Sequence, residues 1–503
     1  MKKLLFFTLL FFFSKISFSL DKAGTFATLL WTYDSQGSIS SSLSVVNKRL
    51  YFGNSSGKFF ALDATTGESI WTFSGKSTAN SFISSPFFAG GYIYIGAFQE
   101  KRLYCIEESG GKKVWDFSCN GEIKSSPRVY GNLLYFGSFD GKIYCLDPVT
   151  GSKVWEFATS APIHSSPLII SGLLFIGGYD RSFYCLDAST GEKIWEYKCP
   201  SEIESSAAFY EGRVYFGDLL GNFYSLDIDS GEAIWKFKAD KGISSSPFIY
   251  EGRVYFGSHD SRIYCLDAKT GKKIWDYTTG GKILSSPCVV DNVVYFGSSD
   301  KKFYAIDATT KEKLYDLQST GEIISSPCIW EGRIYFGTVD GKVYCLDTEN
   351  RGIEGGNTLG AQEFFRTDPF KTQKPSKEVT TSEPGTNKEY IEYELEEPTS
   401  TNIPSLKTKS SSSAKEEIIP AERFNYTIQV ASFRERENAL KYYNRLKDKG
   451  YDVYQTEIKL YRKKYYRIRV GLFKTLDEAA QTRLKLINEG YKPVIIKFIY
   501  NGE

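Results

Sequence analysis

The run Val254-Tyr-Phe-Gly257-Ser-His-Asp-Ser-Arg-Ile263-Tyr-Cys-Leu-Asp267-Ala-Lys-Thr-Gly271-Lys-Lys-Ile274-Trp275 decides the fold. Its apolar stretches are short, rich in Val, Ile, Tyr and Phe, and bounded by Gly, Asp, Ser or Lys, which predicts short strands joined by tight turns. Asp267 can bond its own backbone two residues on and Gly271 can take positive φ, so Asp-x-x-x-Gly closes one of those turns. Upstream, Ser245-Ser246-Pro247 opens a further strand, with proline where a strand start tolerates it.

The pattern repeats. Trp31, Trp71, Trp115, Trp155, Trp195, Trp235 and Trp275 are spaced 40, 44, 40, 40, 40 and 40 residues apart, and Tyr315 takes the next place. The four extra residues of the long interval are expected in loops around Gly90-Gly91 and Phe98 to Arg102. Four short strands per repeat make a propeller blade. The aromatic-rich block ending in glycine occurs eight times, at Gly53, Gly96, Gly137, Gly177, Gly217, Gly257, Gly297 and Gly337. Trp31 has no such block before it, and the block from Tyr335 to Asp347 has no Trp strand after it. The N-terminal strand is therefore expected to complete the last blade and close the ring without free edges. A residue repeated in every blade answers a need of every blade, so the Trp row reads as packing on the neighbouring blade. Cys105, Cys145, Cys185, Cys265 and Cys345 share one repeat position with Ala61, Ser225 and Ala305, which marks a small buried side chain rather than a disulfide framework. No Cys-x-x-Cys occurs, so zinc and dithiol redox motifs are absent from the sequence.

These repeats resemble the PQQ-like β-propeller family, whose signature Asp-x-x-x-Gly-x-x-x-Trp is present as Asp187, Gly191 and Trp195. The family includes quinoprotein dehydrogenases and the propeller lipoprotein of the outer-membrane β-barrel assembly machinery, so the resemblance implies the fold and leaves activity open. Its dehydrogenases hold PQQ with adjacent cysteines, bind calcium through Glu and Asn, and use an Asp base. This chain has no Cys-Cys pair, and no cofactor, metal or catalytic residue is assigned. The position before each Ser-Ser should line the channel and reads Ser40, Ile83, Lys124, His164, Glu204, Ser244, Leu284 and Ile324. Lys124, His164 and Glu204, in consecutive blades, are candidates for the propeller mouth, either as a polar rim or as a general acid/base set. The chain's two histidines, His164 and His259, are expected to face solvent rather than to act in catalysis.

Met1-Lys2-Lys3 followed by the apolar run Leu4 to Phe13 and Ser17-Phe18-Ser19 predicts a signal peptide over residues 1–19. The run is too short to span a bilayer, and no Cys near the cleavage site suggests a lipoprotein. The propeller is expected over 24–350. Residues 351–422, dominated by Thr, Ser, Lys, Glu and Pro, are expected to be a disordered linker. Order returns at Arg423 as βαββαβ, an α+β unit with Ala439, Leu440, Tyr443 and Leu446 of its first helix inward, and Ala479, Ala480, Leu484 and Ile487 of its second. Its halves echo each other in Gln429-Val-Ala-Ser-Phe433 and Arg469-Val-Gly-Leu-Phe473. This stretch, 423–503, resembles the SPOR domain, which binds septal peptidoglycan and prefers glycan strands stripped of peptide stems. Ala431 and Leu472 depart from the Gly and Pro common there. The resemblance implies a glycan site at Gln429, Ser432, Tyr465 and Arg467. The charge agrees: 18 Lys/Arg against 9 Asp/Glu over 423–503 give +9, in a chain of net +2. Arg and Lys can pair with muramic-acid carboxylates, and an aromatic can stack on a sugar face.

The sequence therefore predicts an all-β eight-bladed propeller with a small α+β C-terminal domain, in an exported, non-catalytic envelope protein. It would hold peptidoglycan glycan strands, septal ones in particular, through its last domain, and an envelope protein on its propeller, with no nucleic-acid partner and no transmembrane segment after signal cleavage. A PQQ-like oxidoreductase or other enzyme at the mouth, and an outer-membrane protein assembly factor, are the competing readings.

Overall fold

The computed structural model describes residues 27–77, 81–348, 359–360, 426–433, 436–460, 463–474, 476–489, 491 and 494–497. The expected signal peptide and all but two residues of the expected linker lie outside these.

Eight sheets form the propeller, seven of four strands and the last of five. In the blade quoted above, a short inner strand Phe248–Tyr250 is followed by Arg253–Gly257, Arg262–Asp267 and an outer strand Lys273–Thr278, all antiparallel. The ring closes as expected: Thr28–Asp34 pairs with Lys342–Asp347 of the last blade, with Trp31 opposite Cys345. That blade also gains the short strand Leu359–Gly360 on its inner strand Cys328–Trp330.

Register explains the small-residue position. Tyr255 pairs with Cys265 and Cys265 with Trp275, so the small side chain lies between two rings. The rings meet over it, with centroids 5.8 Å apart for Tyr255 and Trp275, and 5.8 Å for Tyr135 and Trp155 across Cys145. A larger residue there would separate them. None of the nine cysteines forms a disulfide.

The same rings join blade to blade. Trp155 Nε1 and the Tyr135 hydroxyl both donate to the Ala188 carbonyl of the next blade, at 3.1 and 3.0 Å. The Asp187 turn carrying that carbonyl is tied by Asp187 Oδ1, which accepts from the Ser189 and Thr190 amides. Gly191 ends the turn at φ 77°, and a Cβ added there would stand 2.7 Å from the Trp155 ring. Both left-handed backbone and ring contact therefore demand glycine. The indoles of Trp71, Trp115, Trp195, Trp235 and Trp275 donate to equivalent carbonyls. Trp31 packs on Gly67 across the closure, where Tyr335 donates to the Ala64 carbonyl.

Around the channel the Ser-Ser pairs make a second belt. The first serine of each pair lies beside the blade's glycine: Ser165 Oγ donates to the Gly177 carbonyl and accepts its amide. The second reaches sideways. Ser126 N donates to Ser166 Oγ, Ser166 N to Ser206 Oγ, and Ser206 N to Ser246 Oγ, at 2.9, 2.9 and 3.2 Å. The sequence reading took Ser-Ser for a strand start, but the inner strand begins one residue after the proline, and the serines are inter-blade linkers. Of the four extra residues of the long repeat, the expectation around Phe98 to Arg102 accounts for one and the expectation at Gly90-Gly91 for none. Gly96 pairs with Leu103 where Gly137 pairs with Ile143, so one insertion lies in the turn after Ala97. Ser84 to Gly96 spans the same distance as Ser125 to Gly137, so none is at Gly90-Gly91, and the remainder falls between Trp71 and Ser84.

The C-terminal unit is βαββαβ: strands Tyr426–Phe433, Val453–Leu460, Lys463–Phe473 and Val494–Lys497, helices Arg436–Asp448 and Leu476–Asn488. The sheet order is second, third, first, fourth. Ile428, Val430, Ile468 and Val470 pack with Ala439, Leu446, Ala479 and Leu486 of the helices. Leu440, expected inward, is 52% exposed, because it sits beside Ala439 on the helix circumference and only one of the two can face the sheet. Leu486, which the sequence does not single out, is also buried in this core. The side chains of Ala480, Leu484 and Ile487 lie outside the described residues. No helix among the described residues is long and apolar enough to cross a membrane.

The glycine–indole contact sets a prediction. Lys311 occupies the glycine position opposite Trp275 at φ 66°. Gly191→Ala should cost about 2 kcal/mol, from a left-handed alanine and its clash with Trp155, whereas Lys311→Gly should cost nothing or stabilise by up to about 1 kcal/mol. Urea midpoints of the two variants should move in opposite directions or only the first should move.

Candidate functional site

The eight positions before Ser-Ser are all half-buried, as channel-mouth positions should be. The structure brings Lys124, His164 and Glu204 together. Lys124 Nζ and His164 Nδ1 both address one oxygen, Glu204 Oε1, the imidazole at 3.3 Å and the ammonium in a closer ion pair. His164 Nδ1–H donates to the carboxylate, which leaves Nε2 as the acceptor.

A second ring of residues completes the mouth. These are the second residues after each blade's glycine: Ser55, Phe98, Phe139, Tyr179, Leu219, His259, Ser299 and Val339. Their turns lean on the neighbouring chain through backbone bonds such as Phe139 N to Glu122 O and Tyr179 N to Pro162 O. Phe139 and Tyr179 sandwich the His164 ring, with centroids at 4.0 and 3.8 Å and interplanar angles of 8° and 21°. Phe98 meets Phe139 edge to face at 5.3 Å. His164 is thus not solvent-facing as expected: its side chain is 12% exposed. His259 departs from expectation too. It is half-buried, with Nε2 2.8 Å from Ser244 Oγ. The sequence reading missed the aromatic ring because it aligned only the position before Ser-Ser; aligning the turn position would have shown three aromatics in successive blades.

Electrostatics follow from this packing. Burial works to raise the Glu204 pKa, but the His164 hydrogen bond and the Lys124 charge outweigh it and hold the carboxyl at about 2. Burial pushes the His164 pKa below its usual value, the Glu204 bond pulls it back, and Lys124 repels the imidazolium. Burial and the nearby Lys282 lower His259 likewise. At neutral pH the trio is Lys⁺, Glu⁻ and neutral His. An imidazole oriented by a carboxylate can accept a proton at Nε2, but no Ser or Cys nucleophile is bonded to that atom among the described contacts. No metal-holding cluster of His, Cys, Asp and Glu occurs among the described residues.

In the C-terminal sheet, Ser432 pairs with Arg467 and Gln429 with Arg469. Ile428, Val430, Ile468 and Val470 face the helices, so alternation puts positions 429, 432, 465, 467 and 469 on the opposite face. The register thus gathers all four expected glycan-site positions on one face; Arg469, on the same face, is 2% exposed and so is not available to a ligand. The side chains of Ser432 and Tyr465 lie outside the described residues.

Comparison with known proteins places both units. A family model described as outer membrane protein assembly factor BamB matches residues 27–101 and 76–170. One described as the β-propeller of a beta-alanine-activating enzyme matches 163–366. The SPOR domain model matches 422–497. No curated protein matches the chain. Among solved structures, BamB from Moraxella catarrhalis superposes with TM-score 0.56 at 16% identity, covering 64% of this chain and 99% of its own. The computationally designed Ika8 protein gives 0.56 at 18% identity over 62% and 96%. Quinohemoprotein alcohol dehydrogenase from Comamonas testosteroni gives 0.55 at 16% identity over 66% and 78%. At such identities these structures share the fold with this chain.

Because the folded Glu204 carboxyl is held at about 2, below an unfolded value of about 4.3, it contributes stability above about pH 4.3 that is lost as pH falls toward 2. The stability gap between wild type and Glu204→Gln should therefore be constant at neutral pH and shrink across that window. Urea titrations of both proteins at several pH values measure it.

Proposed function

We propose, from a chain that carries PQQ-like propeller repeats and a C-terminal SPOR domain, that it is an exported envelope protein that binds peptidoglycan glycan strands, at the septum in particular, and presents its propeller to a protein partner. Glycan binding is assigned to the helix-free face of the C-terminal sheet. The observation that carries this is the register that brings Arg467 onto the face holding positions 429, 432 and 465, in a unit of charge +9. A glycan strand stripped of stem peptides exposes a lactyl carboxylate on every muramic acid, and guanidinium groups pair with carboxylates through charge-assisted bonds. Gln429 and Ser432 would serve sugar hydroxyls, and Tyr465 a sugar face.

The propeller is assigned a scaffold role without catalysis. Its repeated residues are consumed in joining blades, and its mouth trio lacks an attached nucleophile. The match to an assembly-factor model over the first blades supports protein docking, and a role in assembling outer-membrane proteins is the reading that match favours second. An export signal over residues 1–19, as the sequence pattern suggests, would put both modules outside the cytoplasmic membrane.

The full chain should co-sediment with sacculi pretreated with an amidase to strip stem peptides, and less with untreated sacculi. Arg467→Ala should weaken that binding about tenfold, the loss of one charge-assisted contact. Equal sedimentation of wild type and variant would overturn the assignment of this face.

A further inference from the structure

The mouth trio has a property beyond a polar rim. Two cation-capable groups converge on a single carboxylate oxygen, Glu204 Oε1, and they come from different blades. A carboxylate oxygen shared in this way is a point of competition. While His164 is neutral, Lys124 is the only charge opposite Glu204 and the trio sums to zero. Once His164 is protonated, the imidazolium pairs with the same oxygen, Lys124 is displaced from its monopoly, and the trio sums to +1.

The surroundings favour that exchange. The imidazole cannot swing away, since Phe139 and Tyr179 clamp it on both faces. Aromatic faces also attract a cation, so the clamp tolerates the protonated ring. Lys124, by contrast, is 40% exposed along its side chain and can move into the mouth. The other charged groups on the packed turns are committed elsewhere. Asp140 receives the Tyr144 hydroxyl and the Asn120 and Lys142 amides; Asp180 receives the Tyr184 hydroxyl and the Ser182 amide. Glu202 is paired with Arg181. His259 faces Ser244, with Lys282, Glu204 and Asp260 acting on it. Leu284 and Ile324 continue the ring on the far side, so a released ammonium has no second carboxylate among the mouth positions.

We propose that the propeller mouth is an acid-gated carboxylate site: protonation of His164 frees Lys124 from Glu204 to accept an acidic side chain of a protein partner. Charge complementarity selects that partner chemistry, because the gain is a single exposed ammonium beside an aromatic wall. The inference rests on the scaffold reading of the propeller.

The test uses the full chain labelled with [13Cε1]histidine. Only two imidazole signals arise, and His259→Gln identifies them. The probe is an end-blocked pentaaspartate peptide, ionised at both pH 7 and pH 5, with pentaasparagine as the uncharged control. Its dissociation constant is read from the His164 signal, so binding to the basic C-terminal domain does not register. Wild type should bind pentaaspartate about tenfold more tightly at pH 5 than at pH 7, in step with the His164 titration, as expected for one unit charge gained near the surface. Glu204→Gln, which leaves Lys124 unpaired at either pH, should bind at pH 7 as wild type does at pH 5. Lys124→Met should bind weakly at both, with an unchanged His259 signal reporting an intact fold. Equal affinity of wild type at the two pH values, or tight binding by Lys124→Met, overturns the proposal. No envelope extract enters this assay, so its failure is distinct from a failure to find a protein partner by crosslinking.

Discussion

Everything in the propeller hangs on an indole lying against a glycine of the next blade. The contact is closest where that residue is a glycine at positive φ with no Cβ, as Gly191 is beneath Trp155. Where a tyrosine leans on the same indole over a small residue, as Tyr135 does on Trp155, it adds a second donor to the same carbonyl, and one turn of the next blade is held by two side chains. Because each blade touches only its neighbours, such a unit has to be present at nearly every joint. That necessity writes the repeat into the sequence. It also explains why the closure between the first and last blades uses Trp31 and Tyr335 at the same positions, Trp31 against Gly67 and Tyr335 donating to the Ala64 carbonyl, although they come from opposite ends of the propeller.

This constraint decides what could be read in advance. Trp, Tyr, the small residue, Asp and Gly recur at fixed spacing, so blade number, strand order and the borrowed N-terminal strand were legible. The C-terminal helices and strands were legible for a different reason, the switch of apolar period. What was not legible came from contacts between non-repeating positions. Leu440 failed because helical periodicity cannot separate adjacent residues at the edge of an apolar face. The serine belt failed because a hydroxyl bonding an amide forty residues away leaves no local signal. The aromatic sandwich of His164 failed because its two rings lie in turns, one before and one after it in the chain. The grouping of Lys124, His164 and Glu204 did emerge from the alignment of blades, since equivalent positions of a closed ring must converge on its axis.

The two belts divide the work. The outer one, of Trp and Gly, carries burial and departs from its pattern only at Tyr315 and Lys311 among the described positions. The inner one, of Ser-Ser pairs, carries directional hydrogen bonds and fixes the backbone next to the mouth. A ring of half-buried positions held on so rigid a frame can vary in chemistry without cost to the fold, because those side chains take no part in either belt. That is why one side of the mouth can hold charges and aromatics and the other Leu284 and Ile324.

The asymmetry has a consequence for how the chain could work as a whole. A symmetric ring would offer a partner eight equivalent approaches and no defined orientation. A single cluster spanning three blades offers one. Glu204 is central to that cluster twice over, as the group that keeps Lys124 paired and as the group that fixes the His164 tautomer. The face proposed for glycan strands lies in the C-terminal sheet, in the unit that carries a charge of +9. An orientation-defining mouth on one module and a basic face on the other suit a protein that must hold a polymer and a partner at the same time, since neither site draws on residues that the other needs.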